Sequence, residues 1–264
     1  MQRIRVFLKG NLDLYDSLHS CRINNTLCWN GINDAQEIQH KKFRVQIRHE
    51  IWTRSDALLE STGNPPQSLL DRDLALGSFT PISQFSRSLF DAKADAYILS
   101  IQPDIAMSLV RHKKEGYLFH PAHLSRWEKI DVQWFEENFV AIEPLEPAES
   151  MKNLSDIIDL IRQKSDAPIL IYNTSSVIPG DQVHSYVGLT DSLGVRIKKF
   201  NLALIELSNQ TGVSIVDVNR ILACHGVNHL KLDTWHLNAD ALKLIADEVA
   251  RIILELIPYS GTHD

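Results

Sequence analysis

Read for apolar and polar positions alone, the chain alternates short apolar runs with stretches of helical period. IRVFL at residues 4–8 predicts a buried strand almost at once. FRVQIRHEIW at 43–52 alternates apolar and polar, the period of a half-exposed strand. DAYILSI at 95–101 and APILIY at 167–172 are nearly continuous apolar runs, expected of parallel strands covered on both faces. VSIVDV at 213–218 is a fifth candidate. Between them, Leu154, Ile157, Ile158 and Ile161 recur at helical steps behind Asn153 as a cap, predicting a helix over 153–165. A second helix is expected over 195–212, ending at Gly212. The last segment puts Leu242, Ile245, Ala246, Val249, Ile252 and Ile253 on one stripe, with Asn238 or Thr234 as cap. Strand alternating with helix predicts an α/β protein with a parallel sheet and helices on both faces.

Residues 110–150 break this rhythm, being rich in charge, aromatics and proline without a clear period. They are expected to form an insertion over one edge of the sheet, within a single domain spanning 1–264. Trp127, Trp134, Phe135 and Phe139 there suit either a lid, a partner surface or plain packing.

Composition narrows the class. At 44% hydrophobic and 23% charged residues the chain is an ordinary soluble globular protein. A net charge of −6 supplies no basic footprint for nucleic acid and makes an anionic membrane surface a poor partner. No cationic start with an apolar stretch marks a signal peptide, and no apolar run nears the roughly 20 residues of a membrane span. A cytoplasmic location is expected. Cys21, Cys28 and Cys224 show no metal or redox spacing and are expected to be small buried hydrophobes in a reducing compartment. His112, His120 and His123 are expected at the surface. No carboxylate-histidine helix pattern supports a metal there, and neither a P-loop nor a GxGxxG after the first strand supports a nucleotide. Cys224 with His225 and His229 is a weak thiol candidate. No metal and no cofactor are expected.

In an open parallel sheet, ligands collect beyond the carboxyl ends of the strands, so the loops after the strands carry the chemistry. The last of these reads KLDTWHLNAD from Lys231, with Asp233 three residues before His236. The carboxylate can hold one imidazole nitrogen while the other accepts a proton from a nucleophile. Trp235 beside it suits the wall of an apolar pocket or a helix-start anchor.

That arrangement resembles the SGNH (GDSL-type) hydrolase superfamily. The resemblance implies a flavodoxin-like three-layer αβα sandwich around a parallel five-stranded sheet. DTWH matches the family's C-terminal DxxH, and implies that Asp233 and His236 are the acid and base of a Ser-His-Asp triad. Gly77 in LALGSFTPIS resembles the second-block glycine, whose N–H helps hold an oxyanion. The third block, GxND, is replaced by SIQPD, where Gln102 would stand in as amide donor; Asn173 in the next loop is a second amide. The first block departs most. Aligned directly, Gly10, Asn11 and Leu12 fall where GDS should stand. A literal DSL occurs later, at Asp16, Ser17 and Leu18, about one helical turn beyond the strand tip if Asp13 caps the helix. If the loop brings Ser17 in, it is the nucleophile; otherwise Asn11 and Asp13 occupy the pocket mouth.

The expectation is a hydrolase acting on an acyl or acetyl ester of a small molecule. Two alternatives stand beside it. One is an SGNH-fold biosynthetic enzyme using His236 as base without a serine step. The other is a binding protein that has lost its nucleophile.

Overall fold

The protein is described here by a computed structural model covering residues 2–179 and 192–257. The described chain divides into two compact units.

The first unit comprises Met1–His49, Lys93–Gln102 and Ser165–Asp264 and holds the main sheet. Its strands are β1 (Gln2–Lys9), β2 (Phe43–Glu50), β3 (Ala96–Ser100), β4 (Ile169–Tyr172) and β5 (Ser214–Val216). They lie in the order β5-β4-β3-β1-β2. The β1–β3, β3–β4 and β4–β5 pairs are parallel, for example with Leu8 opposite Ile98 and Ile98 opposite Leu170. Each predicted strand is present; β1 runs two residues further at its start and one at its end, and the other four are one or two residues shorter at one or both ends.

Alternation along the strands sorts the core. Ile4, Val6 and Leu8, then Ala96 and Ile98, Leu170 and Tyr172, and Val216 share one buried face. That face packs on α1 (Leu12–Leu18) through Leu14 and Leu18, and on the C-terminal helix through Ile245, Val249 and Ile253. Phe7, Tyr97, Leu99 and Ile171 point the other way and are equally buried. Each such side chain contributes about 1.5–3 kcal/mol when fully buried. On the edge of the sheet, α2 (Leu193–Thr211) contacts β5 and buries Ile197, Phe200, Leu204 and Leu207. Ser192 caps its start, and Gly212, at φ 71°, ends it. After β5 come α3 (Val218–His225) and α4 (Ala239–Leu256). Asn238 is the α4 cap, its side chain accepting from Ala241 N at 3.0 Å. The architecture is the three-layer α/β fold with a five-stranded parallel sheet.

The second unit comprises Glu50–Ala92 and Pro103–Lys164. It packs helix Ser55–Glu60 against helix Pro147–Arg162. The latter starts before Asn153: Glu146 and Glu149 form a capping box and Pro147 sits in the first turn. Asn153 is therefore inside the helix, donating to Ser55 Oγ at 3.1 Å. The stretch read as aperiodic holds a three-stranded antiparallel sheet, Leu118–Phe119, Val110–His112 and Phe139–Ala141, and a helix Lys129–Asn138. Its aromatics form a small core in which Phe139 meets Phe119, Trp134 and Phe135, and Trp127 meets Phe119 and Phe135. Those rings are spent on packing, which removes the main reason to read them as a partner surface.

Two expectations are corrected. His112 is buried, not at the surface: it stacks on Tyr117, meets Phe139 edge-on, and its Nδ1 accepts from Glu115 N at 3.0 Å. All three cysteines are exposed. Cys21 and Cys28 sit on a two-stranded ribbon, Cys21–Ile23 with Thr26–Trp29, that has no core to face. No helix among the described residues is long and apolar enough to cross a membrane.

Candidate active site

The strand order reverses its direction of growth between β1 and β3, so the loops leaving their carboxyl ends part and open a crevice. The β1 loop begins at Gly10. A Cβ there would lie 2.4 Å from Leu14 Cδ1, so any larger residue would force the buried Leu14 side chain to shift. Gly10 O accepts from His49 Nε2 at 2.9 Å, which fixes the proton on that nitrogen. Asp13 then closes the turn. Its Oδ1 accepts from Asn11 N at 3.2 Å, and its Oδ2 accepts from the Ser100 hydroxyl at the end of β3. Ser100 Oγ in turn accepts from Gln102 N at 3.0 Å, so one carboxylate clasps the two loops together. Burial pushes the Asp13 carboxyl up, against the lowering effect of the Ser100 hydrogen bond.

The loop before α4 is a second clamp. Lys231 and Leu237 form a lone antiparallel bridge, Leu232 N donates to His236 O at 2.9 Å, and Asn238 N donates to Leu230 O at 2.9 Å. Inside this turn Asp233 does two jobs. Its Oδ1 accepts the Trp235 and His236 N–H groups at 2.8 and 2.9 Å, an Asx-type turn. Its Oδ2 lies 2.7 Å from His236 Nδ1. The backbone donors and then the imidazole hold the Asp233 carboxyl down at about 2. The carboxylate thus stays charged and presents Nε2 of a half-exposed imidazole as the proton acceptor. Asp16, on α1, is pushed up by its own burial, against the lowering influence of the nearby His236.

A narrow cleft of about 40 Å³ lies beside this turn, room for two or three water-sized groups. Asp13 and Asp16 line it from α1, Gln102, Tyr172 and Asn173 from the strand ends, and Lys231 and Trp235 from the last loop. His236 stands next to this wall without being part of it. Lys231 was not legible as a site residue. It is 7% exposed, its Nζ donates to Val177 O at 2.5 Å, and burial lowers its pKa to about 8.

The other sequence candidates fall as follows. Leu12, in the place of the family's serine, lines the cleft and is exposed. Ser17 does not line it. It is fully buried, its Oγ donating to Asp13 O at 2.8 Å and lying 3.2 Å from Tyr172 Oη on β4. The expected nucleophile is thus turned inward, because one helical turn past the strand tip α1 faces the sheet. Asn173 donates its amide to Asp217 Oδ1 at 2.7 Å and accepts from Asn219 N at 3.1 Å, a splint between the ends of β4 and β5. Gly180, at the far end of that loop, lies outside the described residues. Gly77 belongs to the second unit, with φ 58°, ahead of a short helix capped by Thr80. A Cβ there would lie 2.9 Å from His123 Nε2. His19, stacked on Tyr15 with its Nε2 buried, is held neutral down to about 4 by burial and His49. No cluster of three or more His, Cys, Asp or Glu suited to a metal occurs among the described residues.

No protein-family model and no curated protein matches the sequence. Solved structures do. LAE5, an alpha/beta hydrolase enzyme from the metagenome of Lake Arreo, Spain, is 13% identical with a TM-score of 0.51, over 96% of each chain. Axe2, an acetylxylan esterase from Geobacillus stearothermophilus, is 12% identical with a TM-score of 0.50, over 98% of this chain and 97% of that one. A member of the lipolytic G-D-S-L family from Veillonella parvula is 11% identical with a TM-score of 0.47, over 97% of this chain and all of that one. At such identities the likeness speaks for the fold alone. The chain thus has the three-layer α/β fold around a five-stranded parallel sheet that LAE5 and Axe2 share with it.

Proposed function

We propose that the protein hydrolyses a small ester, with His236 as general base, Asp233 as its orienter, and water rather than a side chain as the attacking oxygen. The observation that carries this is the Asp233–His236 pair: Oδ2 to Nδ1 at 2.7 Å, with the other carboxylate oxygen pinned by two backbone N–H groups. In the proposed step His236 Nε2 takes a proton from water and the oxygen bonds to the ester carbonyl carbon. The carbonyl π pair moves onto oxygen, where the Gln102 amide on the cleft wall is the proposed donor. Collapse of the tetrahedral centre breaks the bond to the leaving oxygen, which takes the proton back from the imidazolium. Solved structures of the same fold with esterase activity in their names support ester chemistry in general terms.

A serine route would have to pull Ser17 Oγ away from Tyr172 and from its own helix carbonyls. The test compares variants on p-nitrophenyl acetate. His236→Ala should lose about 10²–10⁴-fold in kcat. Ser17→Ala should keep the wild-type rate if the fold holds, and a fluorophosphonate probe should leave Ser17 unlabelled. Full activity in His236→Ala ends the proposal; labelling of Ser17 restores the serine triad.

A further inference from the structure

Lys231 poses a problem that the proposed chemistry does not solve. It lines the same cleft as the apolar Val218, Leu222 and Leu237, and it is 7% exposed. An ammonium has three N–H donors, and in the described structure one of them is used, on Val177 O. No carboxylate among the described residues lies within ion-pair distance of Nζ; Asp233, two residues along, acts on it only through space. Burying a cation without a counter-charge is costly, and the usual resolution is a partner that neutralises it. The cleft wall is where that partner can arrive.

We propose that Lys231 is the anion-binding group of the cleft and selects esters that carry a carboxylate, a succinyl-type half-ester being the simplest example. This rests on the hydrolytic reading of the neighbouring dyad for its context but is tested by binding, which does not need that reading. Two further features fit. Lys231 pairs with Leu237, the residue after His236, and Leu232 N donates to His236 O, so the lysine and the imidazole are carried by one hydrogen-bonded loop. The cleft is narrow, which excludes a long acyl chain.

The experiment uses the full chain and two isosteric probes, succinate and the neutral succinamide, in calorimetric titration. Succinate should bind the wild type and succinamide should not. His236→Ala should bind succinate unchanged, and Lys231→Met should weaken it by about tenfold or more. Kinetically, Lys231→Met should raise KM for mono-p-nitrophenyl succinate by a much larger factor than it changes either constant for p-nitrophenyl acetate. Equal binding of succinamide and succinate by the unmutated protein overturns the proposal, even if the lysine variant does not fold. So does an equal loss of kcat on both esters, which would make Lys231 an oxyanion group instead. A dead His236→Ala enzyme that still binds succinate, or a fully active one that does, separates the fate of this proposal from that of the dyad.

Discussion

Asp233 carries a fold duty and a chemical duty on separate oxygens, so a single atom change can part them. Asp233→Asn leaves Oδ1 to accept from Trp235 and His236 and replaces the oxygen facing His236 Nδ1 with an amide. The turn should persist while the imidazole loses its proton acceptor and with it the right tautomer. Expected is a fall in kcat of about 10²–10⁴-fold with unchanged far- and near-UV circular dichroism. With the carboxyl held at about 2, its charge is present above the ordinary carboxylate range and is lost only as pH falls through about 2. Acid loss of activity between pH 6 and 4 would therefore belong to another group. This pair was legible because acid, base and turn fall within four consecutive residues, so spacing alone brings them together. Ser17 and Lys231 were not. Whether a helical hydroxyl faces inward is decided here by Tyr172, 155 residues away, and a lysine between two leucines reads as an exposed side chain until the cleft forms around it.

At the scale of elements, α4 holds the site loop from below. The Asn238 side chain caps α4 by accepting from Ala241 N, and its amide donates to His229 O at 2.7 Å, so it also ties the helix start to the segment leading into the 231–237 turn. Asn238→Ala should cost about 1–2 kcal/mol in urea unfolding. Because the lost contacts anchor the turn, it should also lower activity more than its stability loss at assay temperature explains. A variant with the expected stability loss and full kcat would show that the Lys231–Leu237 bridge alone suffices. The helices ending the chain were readable within a few residues because Gly212 and Asn238 are local stop and cap signals, whereas the Ser192 cap, ahead of the expected start at 195, was not read. The start of helix Pro147–Arg162 was not, since Pro147 among acids looks like loop, although its missing N–H costs nothing in a first turn. The short strands at Val110–His112 and Leu118–Phe119 are too brief for any period to show.

At the scale of the whole molecule, the sequence reads as one domain because the joints of the second unit are distant in sequence. Its two segments are tied by Asp104, which is 2% exposed. Oδ1 accepts from Ser55 N at 2.7 Å, and Oδ2 accepts from Ser55 Oγ at 2.6 Å and Ser150 Oγ at 2.5 Å, residues 49 and 46 positions away. Burial outweighs these hydrogen bonds and raises the carboxyl to about 6. A carboxyl raised on folding keeps its proton longer in the folded state than in the unfolded one. Its contribution is therefore greatest below about pH 4, falls as pH rises through 6, and is flat above that. The span from the ordinary 3.8 to about 6 corresponds to a loss on the order of 3 kcal/mol. Asp104→Asn, which keeps an acceptor for Ser55 N and cannot titrate, should remove this slope. Asp104→Ala should also lose the slope and should be less stable than Asp104→Asn by about 1–3 kcal/mol at every pH, because a buried N–H is orphaned. Urea unfolding of wild type and Asp104→Asn between pH 4 and 7 decides it. Parallel curves would mean that Asp104 is ionised throughout and that the three donors, not burial, set its charge. A wild-type curve that falls toward the variant's as pH rises would place a proton-linked tie between the two segments of this unit.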